Sequence, residues 1–274
     1  MLEKRVATVT GAGRGMGEAI ARALAAKGAS VVVSDVDEVA ARKVAADISK
    51  DGGKAIGLRV DVSREAEANA LADLAVSEFG QLDIHVNNAG ISTTKLFVDT
   101  TKEDMERILG VNLIGAFLCA KAAVEKMLPN SYGRVINIAS LSGQRGGIGR
   151  SAYGVSKAGL ELLTKVMSVE LAAKGILVNN VAPGAIATQM AIEQHDSNTR
   201  EAYHFLIPQR RYGTPEEVAN VVAFLASADA SHVSGATFNV DGGFLSAGLM
   251  FEKEGVEGMA PPKSKTEKGI SQNA

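Results

Sequence analysis

The chain of 274 residues contains one cysteine, no tryptophan and only 4% aromatic residues. A single thiol, Cys119, excludes an intramolecular disulfide and a cysteine-rich metal site. Cys119 falls in an apolar helical pattern, so we expect it to be a small core residue. The four histidines show no metal-ligand spacing, and we therefore expect no metal site; they are His85, His195, His204 and His232.

The chain also has no large excess of positive or negative charge and no long apolar runs. The net charge of -2 leaves no broad basic surface, so nucleic acid is not an expected partner. The longest apolar runs are shorter than the roughly 18 residues of a membrane span, so we expect no membrane association. No charged and then apolar leader precedes the first apolar run, which predicts a cytoplasmic protein.

Glycine is abundant, with 29 residues, and 46% of the chain is hydrophobic. Short β-branched runs alternate with amphipathic stretches, which predicts a single α/β domain over residues 1–250 with helices on both faces of a doubly wound, parallel, seven-stranded sheet. Predicted strands are Arg5–Thr10, Ser30–Asp35, Lys54–Arg59, Ile84–Asn87, Gly133–Ile138, Ile176–Val181 and Thr237–Val240. Predicted helices are Met16–Lys27, Asp37–Ser49, Arg64–Phe79, Lys102–Met127, Ala152–Ala173 and Pro215–Ala226. Ser63 and Thr214 precede first-turn acids and are expected to mark helix starts.

Two regions interrupt this alternation. Residues 189–212 are mostly polar and are interpreted as a substrate-loop insertion. The tail 251–274 is rich in Lys, Glu, Gly, Pro and Ser, and we expect either a flexible tail or an arm on a neighbouring subunit.

A glycine-rich turn, Thr10–Gly17, joins the first predicted strand to the first predicted helix. Such a turn lets the backbone approach a pyrophosphate closely, while the helix N-terminus supplies unpaired N–H groups and partial positive charge. Gly17 allows close packing of helix and strand. The alternative is a tight turn that binds no ligand.

Asp35 ends the second predicted strand, 18 residues after Gly17. A carboxylate at this spacing can bind the adenosine ribose hydroxyls of a dinucleotide and repel a 2′-phosphate. This favours NAD over NADP, whereas the basic Arg14 in the turn favours NADP. Asp35 can instead be the N-cap of the following helix.

Tyr153 and Lys157 lie four residues apart in a predicted helix and therefore share one face. A phenol has a pKa near 10, and a nearby ammonium favours the phenolate. The pair is a candidate acid/base near neutral pH. The alternative is an ordinary pair of surface neighbours.

Two further polar residues stand near this pair. Ser140 ends the fifth strand, where ligands bind in a doubly wound sheet, and can donate a hydrogen bond to a substrate oxygen. Asn112 lies in an apolar helical stretch and needs a partner, either within the protein or an ordered water.

The glycine turn, the segment Asn87–Gly90, Ser140 and the segment Tyr153–Lys157 resemble the classical short-chain dehydrogenases/reductases over residues 2–245. The resemblance implies a Rossmann fold that moves a hydride between a nicotinamide cofactor and an alcohol or carbonyl. It implies that Tyr153 is the general acid/base and that Lys157 lowers the pKa of Tyr153 and binds the nicotinamide ribose. Ser140 would position the substrate oxygen, and Asn112 would hold a water in a relay to Lys157.

The same resemblance implies the cofactor-binding residues and the assembly. The expected cofactor is NAD, with NADP possible, and the expected assembly is a homotetramer or homodimer. Besides Tyr153 and Lys157, the cofactor residues are Gly11, Arg14, Gly15, Met16, Gly17, Asp35, Asp61, Val62, Asn88, Gly90, Pro183, Ile186 and Thr188.

Substrate selectivity is expected from residues 91–98, 141–151 and 189–212. Their polar character predicts a small polar secondary alcohol or ketone, such as a polyol or sugar. With so few aromatic residues, we expect little surface on which a large flat substrate could stack. An NADPH-dependent 3-oxoacyl thioester reductase is the enzymatic alternative, and a non-catalytic NAD-binding sensor is the alternative of another class.

Overall fold

Seven parallel strands form one sheet in the order β3-β2-β1-β4-β5-β6-β7 in a computed structural model that describes residues 1–189, 191 and 195–248. The predicted sheet is therefore confirmed. The tail 251–274 lies outside the described residues. The strands are β1 Val6–Thr10, β2 Ser30–Asp35, β3 Lys54–Arg59, β4 Ile84–Asn87, β5 Gly133–Ile138, β6 Ile176–Pro183 and β7 Thr237–Val240.

Helices cover both faces of the sheet. They are α1 Gly15–Ala26, α2 Glu38–Lys50, α3 Glu65–Phe79, α4 Lys102–Leu109, α5 Ala116–Met127, α6 Ser151–Leu171, α7 Ser197–Leu206 and α8 Pro215–Ala226. Apolar side chains of α1, α2 and α8 pack on one face, and those of α3, α5 and α6 pack on the other. Burial on both faces explains the continuous Val and Ile runs of the strands.

Three sequence predictions differ from the structure. The helix predicted over Lys102–Met127 contains a π-helical segment, Gly110–Gly115, between α4 and α5. The polar region 189–212 contains α7, whose N-cap Asp196 accepts a hydrogen bond from the Thr199 N–H. Ser63 does not cap α3, because its hydroxyl donates to Asp61 instead. Thr214 does cap α8, in a reciprocal box with Glu217.

The continuous helical stretch Lys102–Asn130 is long and apolar enough to cross a membrane by length and composition. It belongs to the folded core, since half of its most apolar window is buried. Ala120 and Ala123 on this stretch pack with Leu71 of α3 in one apolar cluster. An apolar core helix meets the same length and composition criteria as a membrane span.

The strand order changes direction between β1 and β4. Successive strands β1, β2 and β3 extend to one side, and β4 to β7 extend to the other. Ligands of doubly wound sheets bind beyond the carboxyl ends of the strands at this switch point. Thr10 and Asn87, the last residues of β1 and β4, therefore mark the expected ligand-binding edge.

A buried chain of polar side chains crosses the sheet beneath this edge. His85 of β4 bonds to Thr8 of β1 at 2.7 Å and to the Asn87 side chain at 3.0 Å. Asn87 donates to Asn137 of β5 at 2.9 Å, and Asn137 donates to Thr164 of α6 at 2.7 Å. Each of these side chains is buried and has a partner, as stable burial of polar groups requires.

His85 makes fold stability depend on pH. Burial lowers its pKa from the ordinary value of 6.5 to about 4. The unfolded chain binds this proton first, so stability falls as the pH drops from 6.5 to 4, by about 3 kcal/mol. We expect His85→Gln, which retains hydrogen-bonding groups, to flatten this part of the stability curve. Urea unfolding of both proteins at several pH values tests this, and parallel curves would contradict it.

Candidate active site

The glycine turn is held in a conformation that side chains would disrupt. Gly11 and Gly15 have φ values of 59° and 58°, in the left-handed region that favours glycine. A Cβ on Gly17 would collide with the backbone oxygen of Gly11, so helix α1 approaches the turn closely. Asn88 donates two hydrogen bonds from its amide, to the carbonyl oxygens of Thr10 and Gly11, both at 2.9 Å. The segment after β4 thus fixes the turn.

Asp35 is buried and faces the same turn. Its carboxylate accepts hydrogen bonds from the Gly13 N–H and the Asp37 N–H, both at 3.0 Å. The N-cap of α2 is Asp37, which accepts from the Ala40 N–H, so Asp35 is not the cap. A carboxylate beside a glycine turn at the end of β2 matches a ribose-binding position.

The other predicted cofactor residues surround the same edge of the sheet. Gly15 faces Thr188, because a Cβ on Gly15 would lie 3.8 Å from the Thr188 methyl carbon. Ile186 is buried, and its carbonyl oxygen accepts a hydrogen bond from the Thr188 N–H at 2.8 Å. Arg14 is exposed at the start of α1, Met16 is half-buried in its first turn, and Pro183 is the last residue of β6.

Asp61 and Val62 follow β3 on the far side of Asp35. The Asp61 carboxylate accepts from the Ser63 hydroxyl at 2.6 Å, and this bond is the main reason why its pKa lies below the ordinary value. Val62 is buried, and a Cβ on Gly115 would meet it at 2.9 Å. Val62 therefore packs against the π-helical segment.

Tyr153 is half-buried near the start of α6, close enough to Ser140, beyond the end of β5, for this serine to lower its pKa. Burial raises the pKa of Tyr153, and this outweighs the opposing effects of Ser140 and of the Arg150 charge. That Lys157 lowers the pKa of Tyr153 stays a prediction from the resemblance. Ser140 also accepts from the Ser142 N–H at 3.2 Å.

Lys157 is buried one turn further along α6. Its ammonium donates to the Ile138 carbonyl oxygen at 2.7 Å and lies 5.8 Å from the centre of the Tyr153 ring. Burial lowers its pKa from 10.5 to about 8. An ionisable group with so perturbed a pKa, beside a tyrosine at the ligand edge of the sheet, is typical of a functional site.

Asn112 lies in the π-helical segment, and its amide is occupied by the protein. It accepts from the Ile91 N–H at 2.8 Å, and donates to the Ile91 carbonyl oxygen at 2.9 Å and to the Ser156 hydroxyl at 3.0 Å. A Cβ on Gly90 would lie 3.4 Å from Asn112 and 3.6 Å from the Lys157 ammonium. Asn112 therefore anchors the segment after β4 to α6. π-Helical turns are frequent at functional sites.

An aromatic cluster beside Tyr153 was not expected from the sequence. The ring of Tyr203 on α7 stacks on His195 at 5.0 Å between centres and meets Tyr212 and Phe244 edge-on, both at 5.7 Å. Tyr203 is close enough to Tyr153 to raise its pKa. The fold thus gathers scarce aromatic side chains from α7 and from two loops at the substrate side. These rings pack mainly on one another, so the expectation of little stacking surface for a large flat substrate stays a prediction.

Gln144, which lies in one of the proposed substrate loops, faces away from Tyr153. Its amide donates to Glu161 and to Asn239, both at 3.0 Å. The loop residue that does approach Tyr153 is Arg150, which the sequence argument did not single out.

The family model described as enoyl-(acyl carrier protein) reductase matches residues 11–245. The chain is a member of the short-chain dehydrogenase/reductase family. A 3-oxoacyl-[acyl-carrier-protein] reductase from Synechocystis sp. is 43% identical over 246 residues, covering 89% of this chain and 98% of the relative. Glucose 1-dehydrogenase 2 from Bacillus subtilis is 39% identical over 245 residues, covering 88% and 95%.

A solved relative confirms the fold of this short-chain dehydrogenase/reductase. The structure of a 7α-hydroxysteroid dehydrogenase with NADH and 7-oxo glycochenodeoxycholic acid superposes with a TM-score of 0.86 and 38% identity. The match covers 88% of this chain and 94% of that one. The chain is thus an oxidoreductase by family, and the roles of its individual residues remain predictions.

The residues at the ligand edge fit a nicotinamide dinucleotide. The glycine turn offers the start of α1 to a pyrophosphate, and the buried Asp35 carboxylate offers two oxygens to ribose hydroxyls. Lys157, Asn88 and Gly90 lie on the opposite side of the switch point, where the predicted nicotinamide ribose would be held.

Proposed function

We propose that the chain reduces the 3-oxo group of an acyl thioester to a secondary alcohol, with NADH as the hydride donor. The aromatic cluster of His195, Tyr203, Tyr212 and Phe244 carries the choice of substrate, because it places aromatic rings near Tyr153, whose pKa Tyr203 raises. An acyl chain can bury its methylene groups against such rings, whereas a polyol cannot. The similarity to a 3-oxoacyl-[acyl-carrier-protein] reductase supports the same choice.

The cofactor proposal rests on Asp35. The sequence expectation paired thioester reduction with NADPH, but Asp35 is a buried carboxylate beside Gly13. A 2′-phosphate at the same place would bring two anions together away from bulk water, which is unfavourable. Arg14 is exposed and free to turn toward solvent. The Asp35 carboxylate therefore favours NADH.

The chain's own residues then supply the proton and the alignment. When bound, the cofactor supplies the hydride that the carbonyl carbon accepts. The Tyr153 hydroxyl donates its proton to the carbonyl oxygen, and Ser140, which lies close enough to lower the pKa of Tyr153, donates a hydrogen bond to the same oxygen. The Lys157 ammonium favours the phenolate that Tyr153 becomes, since opposite charges in a poorly solvated site attract strongly.

Isotope transfer tests this function. We expect NADH deuterated at C4 on the transferred face to convert a 3-oxobutyryl thioester into a 3-hydroxybutyryl thioester that is one mass unit heavier. The deuterium is expected at C3. NADH deuterated on the opposite face of the nicotinamide is the matched control, and we expect the mass of its product to be unshifted. Absence of any 3-hydroxyacyl product with either labelled cofactor would reject the proposal.

The Asp35 argument predicts a change of cofactor preference. Asp35→Asn retains the size of the side chain and removes its charge, so we expect the preference for NADH over NADPH in kcat/KM to fall at least about tenfold. The matched control is Asp37→Asn, which removes a neighbouring charge at the start of α2. A preference for NADPH in the unchanged protein would contradict the argument.

A second candidate is oxidation of a small polar alcohol with NAD. The similarity to glucose 1-dehydrogenase 2 favours it, as do the polar residues of 189–212. The same tyrosine chemistry serves both directions, with the phenolate taking the hydroxyl proton in oxidation. The aromatic cluster makes this the less favoured candidate.

We further infer that the chain assembles as a homotetramer or homodimer. Large apolar side chains are exposed along α6, including Leu162 at 63% and Val169 at 84%. Phe117 on α5 and Val166 on α6 are also exposed. Large apolar side chains exposed on two helices are typical of a protein interface. Sedimentation velocity is expected to give two or four times the chain mass of 28.4 kDa, and a monomer mass would contradict the inference.

A further inference from the structure

Arg150 lies at the substrate side of Tyr153, immediately before α6. Its guanidinium carbon is 5.7 Å from the centre of the Tyr153 ring. One of its N–H groups donates to the Ser92 hydroxyl, on the segment after β4, at 2.9 Å. The side chain is half-buried and thus spans the gap between two elements that carry site residues.

The third wall of this gap is the segment that begins at His195. The Arg150 charge lowers the pKa of His195, although burial is the larger cause of that shift. Arg150 also acts on Tyr153, whose pKa it lowers. Arg150 is thus near both Tyr153 of α6 and His195 of the aromatic cluster.

Arg150 has no carboxylate within 4.0 Å in the part of the chain that the structure describes. Some other arginines have such partners, for example Arg5 with Asp83 at 2.8 Å and Arg211 with Glu217 at 2.6 Å. Arg134 and Arg145 have none among the described residues, but each lies over an aromatic ring within 4.5 Å. A cation at the N-terminal end of a helix is also unfavourable, because the helix dipole is positive there. Neither local pairing nor helix stability therefore explains an arginine at this position.

On the basis of the proposed function, we propose that Arg150 is a specificity-determining residue that binds the C1 oxygen of the 3-oxoacyl substrate. C1 is two carbons from the carbonyl carbon that Tyr153 serves, so a guanidinium flanking the tyrosine is placed to reach it. Arginine carries five N–H donors, and Ser92 accepts from one of them. The remaining donors suit an acceptor oxygen that is charged or strongly polarised.

Two substrates offer such an oxygen. In a thioester the C1 oxygen is a neutral carbonyl, and in a free 3-oxo acid it belongs to a carboxylate. Hydrogen bonds to a charged partner are the stronger of the two. Loss of Arg150 should therefore affect a free 3-oxo acid more than a thioester, and should spare a ketone that has no C1 oxygen.

The test compares three probes with NADH: the N-acetylcysteamine thioester of 3-oxobutyrate, acetoacetate and 2-pentanone. We expect Arg150→Gln to lower kcat/KM about 30-fold for the thioester and about 100-fold for acetoacetate. For 2-pentanone we expect less than a threefold change. Arg150→Lys should recover part of the acetoacetate activity, because it restores the charge without the planar donor pair.

Arg107→Gln is the control, since it removes one positive charge from a half-exposed arginine of α4. Thermal unfolding of each variant separates loss of folding from loss of selectivity. If the folded Arg150→Gln protein lost kcat/KM equally for all three probes, the proposed role of Arg150 would be rejected while the proposed function would stand. Failure of the unchanged protein to reduce the thioester and acetoacetate, while it oxidises polyols, would reject the proposed function and the Arg150 role together.

Discussion

Tyr153→Phe is expected to lower kcat at least about 10³-fold while leaving the affinity for NADH within about twofold. Proton donation by a positioned side chain contributes about 10² to 10⁴ in rate, and phenylalanine has no proton to donate. The phenylalanine ring occupies the same place on α6, and only the hydroxyl is lost.

Stopped-flow turnover and a fluorescence titration with NADH check this expectation. Ser142→Ala is a suitable control, because Ser142 meets Ser140 through its backbone N–H and not through its hydroxyl. Turnover of Tyr153→Phe within tenfold of the unchanged protein would remove Tyr153 from the proton-transfer role. A parallel loss of NADH affinity would instead show that the Tyr153 hydroxyl is needed for cofactor binding.

Lys157→Met is expected to lower kcat at least about 10²-fold, because the substitution removes the only cation that α6 places beneath Tyr153 in the described structure. The Tyr153 phenolate formed in reduction then lacks a compensating charge, and its formation in a buried site is costly. Methionine retains the length of the apolar stem, so the packing around α6 is largely preserved. Steady-state rates across pH measure the loss.

The same substitution should change the dependence of stability on pH in a predictable direction. Burial lowers the pKa of Lys157 from 10.5 to about 8, so the folded state disfavours the ammonium. In the unchanged protein, the free energy of unfolding should therefore rise by about 3 kcal/mol as the pH rises from 8 to 10.5. Lys157→Met should lack this rise. If the free energy of unfolding rose equally with pH in both proteins, the lowered pKa of the buried Lys157 would be contradicted.

Much of the fold follows from local signals in the sequence. The Val and Ile runs locate every strand to within two residues, since strands buried on both faces need continuous apolar side chains. Helix α7 was missed because its residues, such as Asp196 and Arg200, are mostly polar and bury little surface. The π-helical segment was also missed, because one extra residue in a turn leaves the apolar pattern almost unchanged.

One part of the candidate site could likewise be predicted from the sequence, and another part could not. Tyr153 and Lys157 share a helix, and Ser140 ends a strand, so their proximity follows from spacing and topology. Tyr203, Tyr212 and Phe244 come from separate segments, and only the tertiary fold brings them together. Composition counts aromatic residues but does not locate them. The polar residues of the loops favoured a small polar substrate, whereas the aromatic cluster favours an acyl chain.

Arg150 shows that sequence analysis has the same limit for a charged side chain. In the sequence it is one of many basic residues, and nothing shows that it has no carboxylate partner among the residues that the structure describes. The proposed role of Arg150 depends on its contacts with Ser92 and Tyr153, which lie on different elements. Unpaired charge is a property of tertiary structure, and the structure is needed to recognise it.

The most direct test of the account is the ratio of two kcat/KM values measured on the same preparation. One is for the 3-oxobutyryl thioester with NADH, and the other is for glucose or a small polyol with NAD. The aromatic cluster and Asp35 predict that the thioester value is at least about 100-fold larger. A larger value for the polyol, or activity with the thioester only when NADPH replaces NADH, would contradict the account.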